Sequence, residues 1–214
     1  MRSRIRERLH FLYKFLHAPR QLGSVTPSSR WLAKTMLDII LWQQMHNIAE
    51  LGAGTGAITR FIPSGEETGM NVLLFEKDPD FRHQLRLKFP DRIFFNDCLR
   101  LRLALHNRSL EKLDCIVSSL SFRNFSASDR TLYIEQIISS LKEGGWFITF
   151  EYFPQMKKEL MQHFDIVSVK WVLLNFPPAL VYICRKKAST QVKQSDHIHS
   201  SIDVKSISRV STER

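Results

Sequence analysis

Three alternating glycines follow an acidic residue in the segment 49–56, Ala-Glu-Leu-Gly-Ala-Gly-Thr-Gly, which ends an apolar run. Glycine has no Cβ and adopts positive φ readily, so Gly52, Gly54 and Gly56 let the backbone approach a bound molecule closely. We expect Ala57-Ile58-Thr59 to open a helix whose first N–H groups and positive dipole end face an anionic group. The pattern predicts a nucleotide-type ligand at a strand-to-helix turn.

A carboxylate at the end of the next apolar run makes this interpretation more specific. The glycine spacing alone also fits the dinucleotide-binding fingerprint. Glu76 follows the run 71–75 and lies twenty residues after Gly56. A carboxylate at this spacing accepts hydrogen bonds from both hydroxyls of a ribose.

Polar residues also end two further strand candidates. Asn96-Asp97-Cys98 follow the run 92–95, and Ser118 begins a serine-rich segment after the run 113–117. Open α/β sheets bind ligands beyond the carboxyl ends of their strands. These residues are therefore predicted to lie at the same site as the glycine turn.

The remaining patterns supply the elements that position such a site. A helix is predicted over Arg30–Leu41, with Ser28 or Ser29 as its N-cap. In the second half, residues 126–141 have a helical pattern, Gly144-Gly145 form a turn, and residues 146–150 form a buried strand.

Composition predicts one enzyme domain with extensions. The chain has 214 residues with 43% hydrophobic content, enough for a substantial core. We find no apolar run near the roughly 18 residues that span a bilayer, and the N-terminal segment is too charged for a signal peptide. Cys98, Cys115 and Cys184 lack C-x-x-C spacing, which favours a reducing cytoplasm over disulfides or a zinc site.

The net charge of +10 is concentrated at the two ends of the chain. Residues 1–20 contain six Lys/Arg and one acidic residue, and residues 185–214 contain seven and three. The intervening residues 21–184 are nearly neutral, with 18 basic and 17 acidic side chains. A near-neutral core without interleaved aromatic and basic residues makes nucleic acid the less favoured partner.

An amphipathic helix is predicted in the first twenty residues. Ile5, Leu9, Leu12 and Leu16 recur at helical spacing, with arginines on much of the remaining surface. Such a helix lies in a membrane interface, its cations near anionic headgroups, where each contributes about 1 kcal/mol. The alternative is that the helix packs on the enzyme core. The two are compatible if the docked helix covers the active site.

Taken together, residues 46–152 resemble the class I S-adenosylmethionine-dependent methyltransferases. The resemblance implies an α/β, Rossmann-like, doubly wound and mostly parallel seven-stranded sheet, with S-adenosylmethionine as cofactor. In that family the glycine turn binds the methionine part, the carboxylate after the second strand the ribose, and the residues after the third strand the adenine. The cofactor-binding positions implied here are Glu50, Gly52, Gly54, Gly56, Glu76, Lys77, Asp97, Cys98 and Ser118.

Two further segments resemble a narrower group, the bacterial phospholipid N-methyltransferases, which are related to the ribosomal RNA adenine dimethyltransferases. These are residues 19–29, with Gly-Ser-Val-Thr-Pro-Ser-Ser at their end, and residues 171–182, which contain Asn-Phe-Pro-Pro-Ala. The Pro-Pro pair also fits a rigid bend between edge strands. With these segments the resemblance covers about residues 8–187.

The loop after the fourth strand bears on the methyl acceptor. Adenine dimethyltransferases carry an Asn/Asp-Pro-Pro-Tyr type sequence there, whereas this chain has Ser118-Ser119-Leu120-Ser121-Phe122, with no amide or carboxylate for a base and no proline. An aliphatic amine such as phosphatidylethanolamine fits better, although the phospholipid enzymes often have Gly-Leu-Pro here. The predicted catalytic residues are Tyr152, Glu151 and Ser118, with Arg20 or Arg30 near the lipid phosphate.

These patterns divide the chain into a basic helix over 1–20, a methyltransferase domain over 21–187 and a mobile basic tail over 188–214. In the tail, His197 and His199 lack a third ligand nearby, so no metal site is predicted.

The leading hypothesis is a cytoplasmic phospholipid N-methyltransferase on the inner face of the cell membrane. It would methylate phosphatidylethanolamine and its methylated derivatives and bind the anionic surface through residues 1–20. Two alternatives remain open. One is a methyltransferase for RNA, protein or a small amine, and the other is a nonenzymatic docking module with the same fold.

Overall fold

A computed structural model describes residues 29–122, 125–153 and 156–188. The predicted helix over 1–20 and the tail from 189 onward, with His197 and His199, lie outside the described residues. Among those that are described, no helix combines the length and hydropathy needed to cross a membrane.

The described residues alternate between strands and helices. The strands are β1 (Asn47–Leu51), β2 (Asn71–Phe75), β3 (Ile93–Phe95), β4 (Leu113–Ser118), β5 (Leu141–Glu151), β6 (Phe164–Val172) and β7 (Ala179–Lys186). The α-helices are α1 (Arg30–Leu37), α2 (Gly65–Thr68), α3 (Pro79–Lys88), α4 (Leu101–His106), α5 (Ala127–Ser140) and α6 (Lys157–His163). Short 3-10 helices cover Trp42–Gln44, Thr59–Phe61 and Cys98–Arg100.

All seven strands form one sheet in the order β3-β2-β1-β4-β5-β7-β6. β7 runs antiparallel to both β5 and β6, and the neighbouring pairs among β1 to β5 are parallel. The fold class predicted from the sequence, an α/β Rossmann-like and mostly parallel seven-stranded sheet, is confirmed.

The register aligns the carboxyl ends of the first five strands. Leu51 of β1 pairs with Phe75 of β2 and with Ser118 of β4. Phe95 pairs with Phe75 on one side, and Thr149 pairs with Ser118 on the other. Polar residues that follow these strands therefore emerge at one edge of the sheet.

The sheet is covered on both faces, which explains its apolar strands. On one face, α1 and α3 pack on a core that includes Leu32, Met36 and Leu85. On the other, α4, α5 and α6 bury Tyr133, Leu160 and their neighbours. Each fully buried side chain of this size stabilises the fold by about 1.5–3 kcal/mol.

Helix α1 is shorter than the predicted span of Arg30–Leu41. The Ser29 hydroxyl accepts a hydrogen bond from the Leu32 amide at 3.1 Å, which confirms Ser29 as the N-cap. The helix ends at Leu37, and the chain turns so that Ile40 becomes buried in the core. Helix α5 begins after its N-cap Ser126, close to the predicted boundary.

The prediction that a helix opens at Ala57 is wrong. The chain makes a turn and then only the short 3-10 helix Thr59–Phe61. Ile62 has an extended backbone, with ψ of 124°. Pro63 follows it, and a proline disfavours helical geometry in the preceding residue. No α-helix therefore opens at this turn whose dipole could face an anionic group.

Strand β5 is longer than the predicted 146–150. It begins at Leu141, and the positive φ of Gly144, 68°, lies within it. The pairing with β4 shifts between Leu113 and Cys115 and continues with Cys115 opposite Trp146. The predicted Gly144-Gly145 turn is thus an irregularity inside the strand.

A buried carboxyl group lies under the glycine turn. Glu50 is 1% exposed, and its Oε2 accepts a hydrogen bond from the Thr59 hydroxyl at 2.7 Å. Arg92 is also buried, and its guanidinium donates to the carbonyls of Ile62 and Pro63. Burial raises the pKa of Glu50 from 4.5 to about 8, against the opposing effects of the Thr59 bond and the Arg92 charge.

This titration predicts a pH-dependent stability that the Glu50→Gln substitution removes. The unfolded chain releases the Glu50 proton near pH 4.5, whereas the folded chain keeps it up to about pH 8. Between these limits the folded state binds more protons. The unfolding free energy of the wild type should therefore fall relative to the variant by roughly 1.4 kcal/mol per pH unit.

Urea unfolding of the ligand-free proteins across this pH interval measures the effect. Glu66→Gln removes a carboxylate from an exposed helix position and serves as the control. Parallel pH profiles of the wild type and the Glu50→Gln variant would contradict the raised pKa.

Candidate active site

The glycine turn is held against the end of β2. The amides of Gly52 and Ala53 both donate to the Phe75 carbonyl, at 2.8 and 3.1 Å. Gly52, Gly54 and Gly56 have φ values of 80°, 53° and 83°, a region that favours glycine. Their type and spacing therefore match what the backbone requires.

The three glycines differ in what surrounds them. A Cβ on Gly52 would lie 2.5 Å from Leu120 Cδ2, and one on Gly56 would lie 2.8 Å from a ring carbon of Phe89. A Cβ on Gly54 would meet only the Gly52 carbonyl oxygen, at 3.9 Å. Gly52 and Gly56 thus allow close packing of the protein, whereas Gly54 leaves room for a Cβ-sized group beside the turn.

Glu76 reaches the turn from the end of β2. Its Oε2 accepts the Gly54 amide at 2.7 Å, and its Oε1 accepts the Asp78 amide at 2.9 Å. The structure therefore brings together the carboxylate predicted for the ribose and the glycine that leaves room beside the turn. Lys77, the next predicted residue, is exposed.

The buried Glu50 offers a polar atom below the same turn. Its Oε1 is buried and has no hydrogen-bond partner among the described residues. An unpaired buried oxygen is costly and fits a hydrogen-bonding ligand. Together with the space beside Gly54, it fits the methionine part of S-adenosylmethionine.

Asp97 and Cys98 lie at the end of β3. Asp97 accepts the Leu99 amide at 2.9 Å and forms an ion pair with Arg100 at 3.5 Å. Burial, followed by the charge of Asp97, raises the pKa of the Cys98 thiol to about 12, so the thiol is neutral. The charges of Glu76 and Lys77 also act on Cys98, which puts the residues predicted for ribose and adenine in one region.

The Ser118 hydroxyl is fully buried and bonded within the protein. It lies 2.6 Å from the Tyr133 hydroxyl and accepts the Leu120 amide at 3.1 Å. Burial raises the pKa of Tyr133 well above its ordinary value, so both hydroxyls are neutral. In this structure Ser118 shapes the start of the loop after β4.

Glu151 fixes the other end of the same loop. It is 2% exposed, and its carboxylate accepts the Phe122 amide at 2.9 Å and the Ser121 hydroxyl at 3.2 Å. At the first end, the Ser119 amide donates to the Leu51 carbonyl at 3.0 Å, and its hydroxyl donates to the Gly52 carbonyl. These bonds hold in place a loop that has no proline.

Tyr152, which directly follows β5, links that strand by a hydrogen bond to the turn before β7. Its hydroxyl is hydrogen-bonded to the Asn175 side chain, and burial raises its pKa. The ring of Phe150 contacts it edge to face, with centroids 5.6 Å apart. Asn175 also accepts the Ser29 amide at 3.0 Å and donates to the Pro177 carbonyl at 2.7 Å.

Sequence reasoning missed several residues that build the site. Thr59 and Tyr133 pair with Glu50 and Ser118, and no local pattern marks them. Asn175 belongs to the segment 171–182, which the resemblance named without giving this residue a role. In the structure the Asn175 side chain accepts the Ser29 amide and so joins the turn before β7 to the start of α1. Within 29–188, as far as this stretch is described, no group of three metal-ligating side chains is found.

Gly54→Ala is predicted to block the donor while the chain still folds. Alanine at a φ of 53° costs about 1–2 kcal/mol, and the added methyl group occupies the space beside the turn. Overpacking a site by one methyl group costs about 1–3 kcal/mol, so the affinity for S-adenosylmethionine should fall by roughly 5- to 150-fold in titration calorimetry.

Gly69→Ala is the matched control for backbone strain. Gly69 has a φ of 72° and nothing within 4 Å of an added Cβ, and it lies after α2 rather than in the turn. Its variant should bind the donor like the wild type. Unchanged affinity of the Gly54 variant would remove the turn from the binding site.

Comparisons with known proteins and solved structures find methyltransferases that are similar to this chain. No protein-family model matches the chain. Over 180 residues the chain is 32% identical to an ornithine lipid N-methyltransferase of Singulisphaera acidiphila, a match that covers 82% of this chain and 94% of that protein.

Solved structures share the fold. The N-methyltransferase NodS from Bradyrhizobium japonicum WM9 superposes with a TM-score of 0.60 at 13% identity, over 73% of this chain and 94% of that chain. A 1,6-didemethyltoxoflavin-N1-methyltransferase from Burkholderia thailandensis, solved with S-adenosylhomocysteine, gives 0.58 at 17% identity, over 85% and 87%. NodS has also been solved with S-adenosylhomocysteine.

The residues at the turn and the comparisons identify the cofactor as S-adenosylmethionine. The identity to the Singulisphaera protein extends over most of both chains. This chain therefore belongs to the same family as that ornithine lipid N-methyltransferase, within the class I S-adenosylmethionine-dependent methyltransferases.

Proposed function

We propose that this enzyme methylates the aliphatic amine of a membrane aminolipid, with an ornithine lipid as the first candidate and phosphatidylethanolamine as the second. The observation that carries the proposal is the 32% identity to the ornithine lipid N-methyltransferase, across 94% of that protein. A lipid acceptor also implies that the reaction takes place at a membrane surface, in agreement with the basic segment 1–20.

The loop after β4 favours an amine over a nucleobase. The hydroxyls of Ser118, Ser119 and Ser121 are bonded to Tyr133, Gly52 and Glu151, respectively. The loop also lacks the amide or carboxylate that adenine methyltransferases place there. A flexible primary amine needs no planar clamp of this kind.

S-adenosylmethionine supplies an activated methyl group that a neutral amine can attack in line. An amine at neutral pH is mostly an ammonium ion and must first lose a proton. We assign this step to Glu151, with Ser121 as the hydroxyl between the carboxylate and the loop surface. The buried position of Glu151 also excludes water from the carboxylate, and the fixed loop keeps the amine aligned.

Tyr152 is the residue that we assign to the ammonium headgroup. An aromatic face attracts a cation by about 0.5–2 kcal/mol. The ring of Tyr152 is held by Phe150 and by the bond to Asn175, so its position is set before the lipid arrives. Arg30, which is exposed at the start of α1, is suited to an anionic group of the same lipid.

The full-length protein with radiolabelled S-adenosylmethionine tests the proposal. Separate incubations contain vesicles with ornithine lipid, vesicles with phosphatidylethanolamine, RNA, and free ornithine. We predict label in the organic phase with the aminolipid vesicles, and more with ornithine lipid. Phosphatidylcholine vesicles are the control, because their quaternary nitrogen has no proton to lose.

The other outcomes separate the alternatives. Label in RNA or in free ornithine would contradict a lipid acceptor and support the wider methyltransferase class. Donor binding without transfer to any of these pools would support a nonenzymatic module. Transfer to phosphatidylethanolamine alone would keep the proposal and reverse the order of its two candidates.

A further inference from the structure

Large apolar side chains are exposed at the end of the edge strand β6. Trp171, near its carboxyl end, is 64% exposed, and Leu173 and Leu174 in the following turn are 72% and 66% exposed. Single exposed apolar residues are common on protein surfaces. Three of this size within four positions form a patch, which marks an interaction site.

The patch lies at the same edge of the sheet as the proposed acceptor site. Leu180 of β7 pairs with Trp171 on one side and with Glu151 on the other. Trp171 is therefore two strands away from Glu151, the carboxylate that holds the loop after β4. Both residues share one face of the sheet, because directly paired residues point to the same side.

The start of α1 meets this turn. Asn175 follows Leu174 directly and accepts the Ser29 amide at 3.0 Å. Trp31, only two residues after Ser29, is 44% exposed. Trp31 belongs to α1, which packs on the face of the sheet opposite to Trp171, so the two tryptophans flank the edge where the turn meets Ser29. We call Trp31, Trp171, Leu173 and Leu174 the apolar rim.

Cations accompany the apolar rim. The segments 29–34 and 169–175 contain Arg30, Lys34 and Lys170 and no acidic residue. The Arg30 guanidinium lies over the Trp31 ring, 5.0 Å from its centroid. Tryptophan and leucine beside arginine and lysine suit the interface of an anionic bilayer, where the rings sit at headgroup level and the cations meet phosphate.

The charge of the sequence before Ser29 also favours an anionic membrane as the occupant. Residues 1–20 carry six Lys/Arg against one acidic residue, and the chain enters the described structure at Ser29 beside the rim. A second copy of the protein would bring the cations of two rims together, whereas an anionic membrane neutralises them.

We propose that the apolar rim inserts into the headgroup region of an anionic lipid bilayer and holds the acceptor side of the site against the membrane. The insertion is distinct from binding through residues 1–20. It fits the proposed lipid acceptor, but binding to vesicles is measured without methyl transfer. Failure of one proposal is therefore distinguishable from failure of the other.

Co-sedimentation of the full chain with phosphatidylcholine vesicles containing phosphatidylglycerol, without aminolipid, tests the rim. Leu173→Glu should weaken vesicle binding about tenfold or more, because it removes a leucine that the bilayer would bury and adds a negative charge. Leu87→Glu is the matched control. Leu87 is equally exposed, at 72%, but lies on α3, which precedes the opposite edge strand β3. Both variants should keep the wild-type affinity for S-adenosylmethionine, which verifies that they fold.

Fluorescence quenching by lipids brominated in their acyl chains gives a second measurement. The chain has four tryptophans, and Trp171→Phe should remove a large share of the quenching. Trp146→Phe should not, because Trp146 lies toward the other end of β5 under the Arg185 guanidinium.

Equal vesicle binding by the Leu173 and Leu87 variants would overturn the proposal. So would quenching that Trp171→Phe leaves unchanged. A dimer in light scattering that Leu173→Glu dissociates would assign the rim to a second copy instead.

Discussion

The backbone pairing of β1 with β2 and β4 is the constraint on which the site depends. It sets Leu51 beside Phe75 and Ser118, so that the residues following all three strands meet at one edge. A shift of the register would separate Glu76 from the Gly54 amide. Since the strands are buried on both faces, the packing of the core fixes this register, and the hydrogen bond between the two residues follows from it.

The same edge divides into two halves with different chemistry. On the side of β1, β2 and β3, the glycine turn, Glu50 and Glu76 offer space and acceptors for a nucleoside with an amino acid part. On the side of β4, β5 and β7, Glu151 and Tyr152 lie near an exposed apolar rim. The loop after β4 belongs to both halves, because Leu120 packs on Gly52 while Phe122 is held by Glu151. This arrangement fits a soluble donor on one side and a membrane-bound acceptor on the other.

Local patterns predicted what depends on local physics. The positive φ of the three glycines, the N-cap at one of the two serines 28 and 29, the helix near 126–141, and the strands at 71–75 and 113–117 all follow from residue type and hydrophobic pattern. The helix expected at Ala57 is replaced by a turn and a 3-10 helix that ends before Ile62, whose backbone Pro63 keeps extended. Contacts between distant segments could not be predicted from local patterns. No pattern in the sequence indicates that Ser29 bonds to Asn175, 146 residues away, or that the Ser118 hydroxyl bonds to Tyr133.

We propose that the turn at Gly54 and the carboxylate of Glu76 bind the methyl donor. A crystal structure of the full-length protein with S-adenosylhomocysteine tests it most directly. We predict the ribose hydroxyls on the Glu76 carboxylate and the amino acid part beside Gly54, above the buried Glu50. Product bound elsewhere, with the space beside Gly54 empty, would contradict the account.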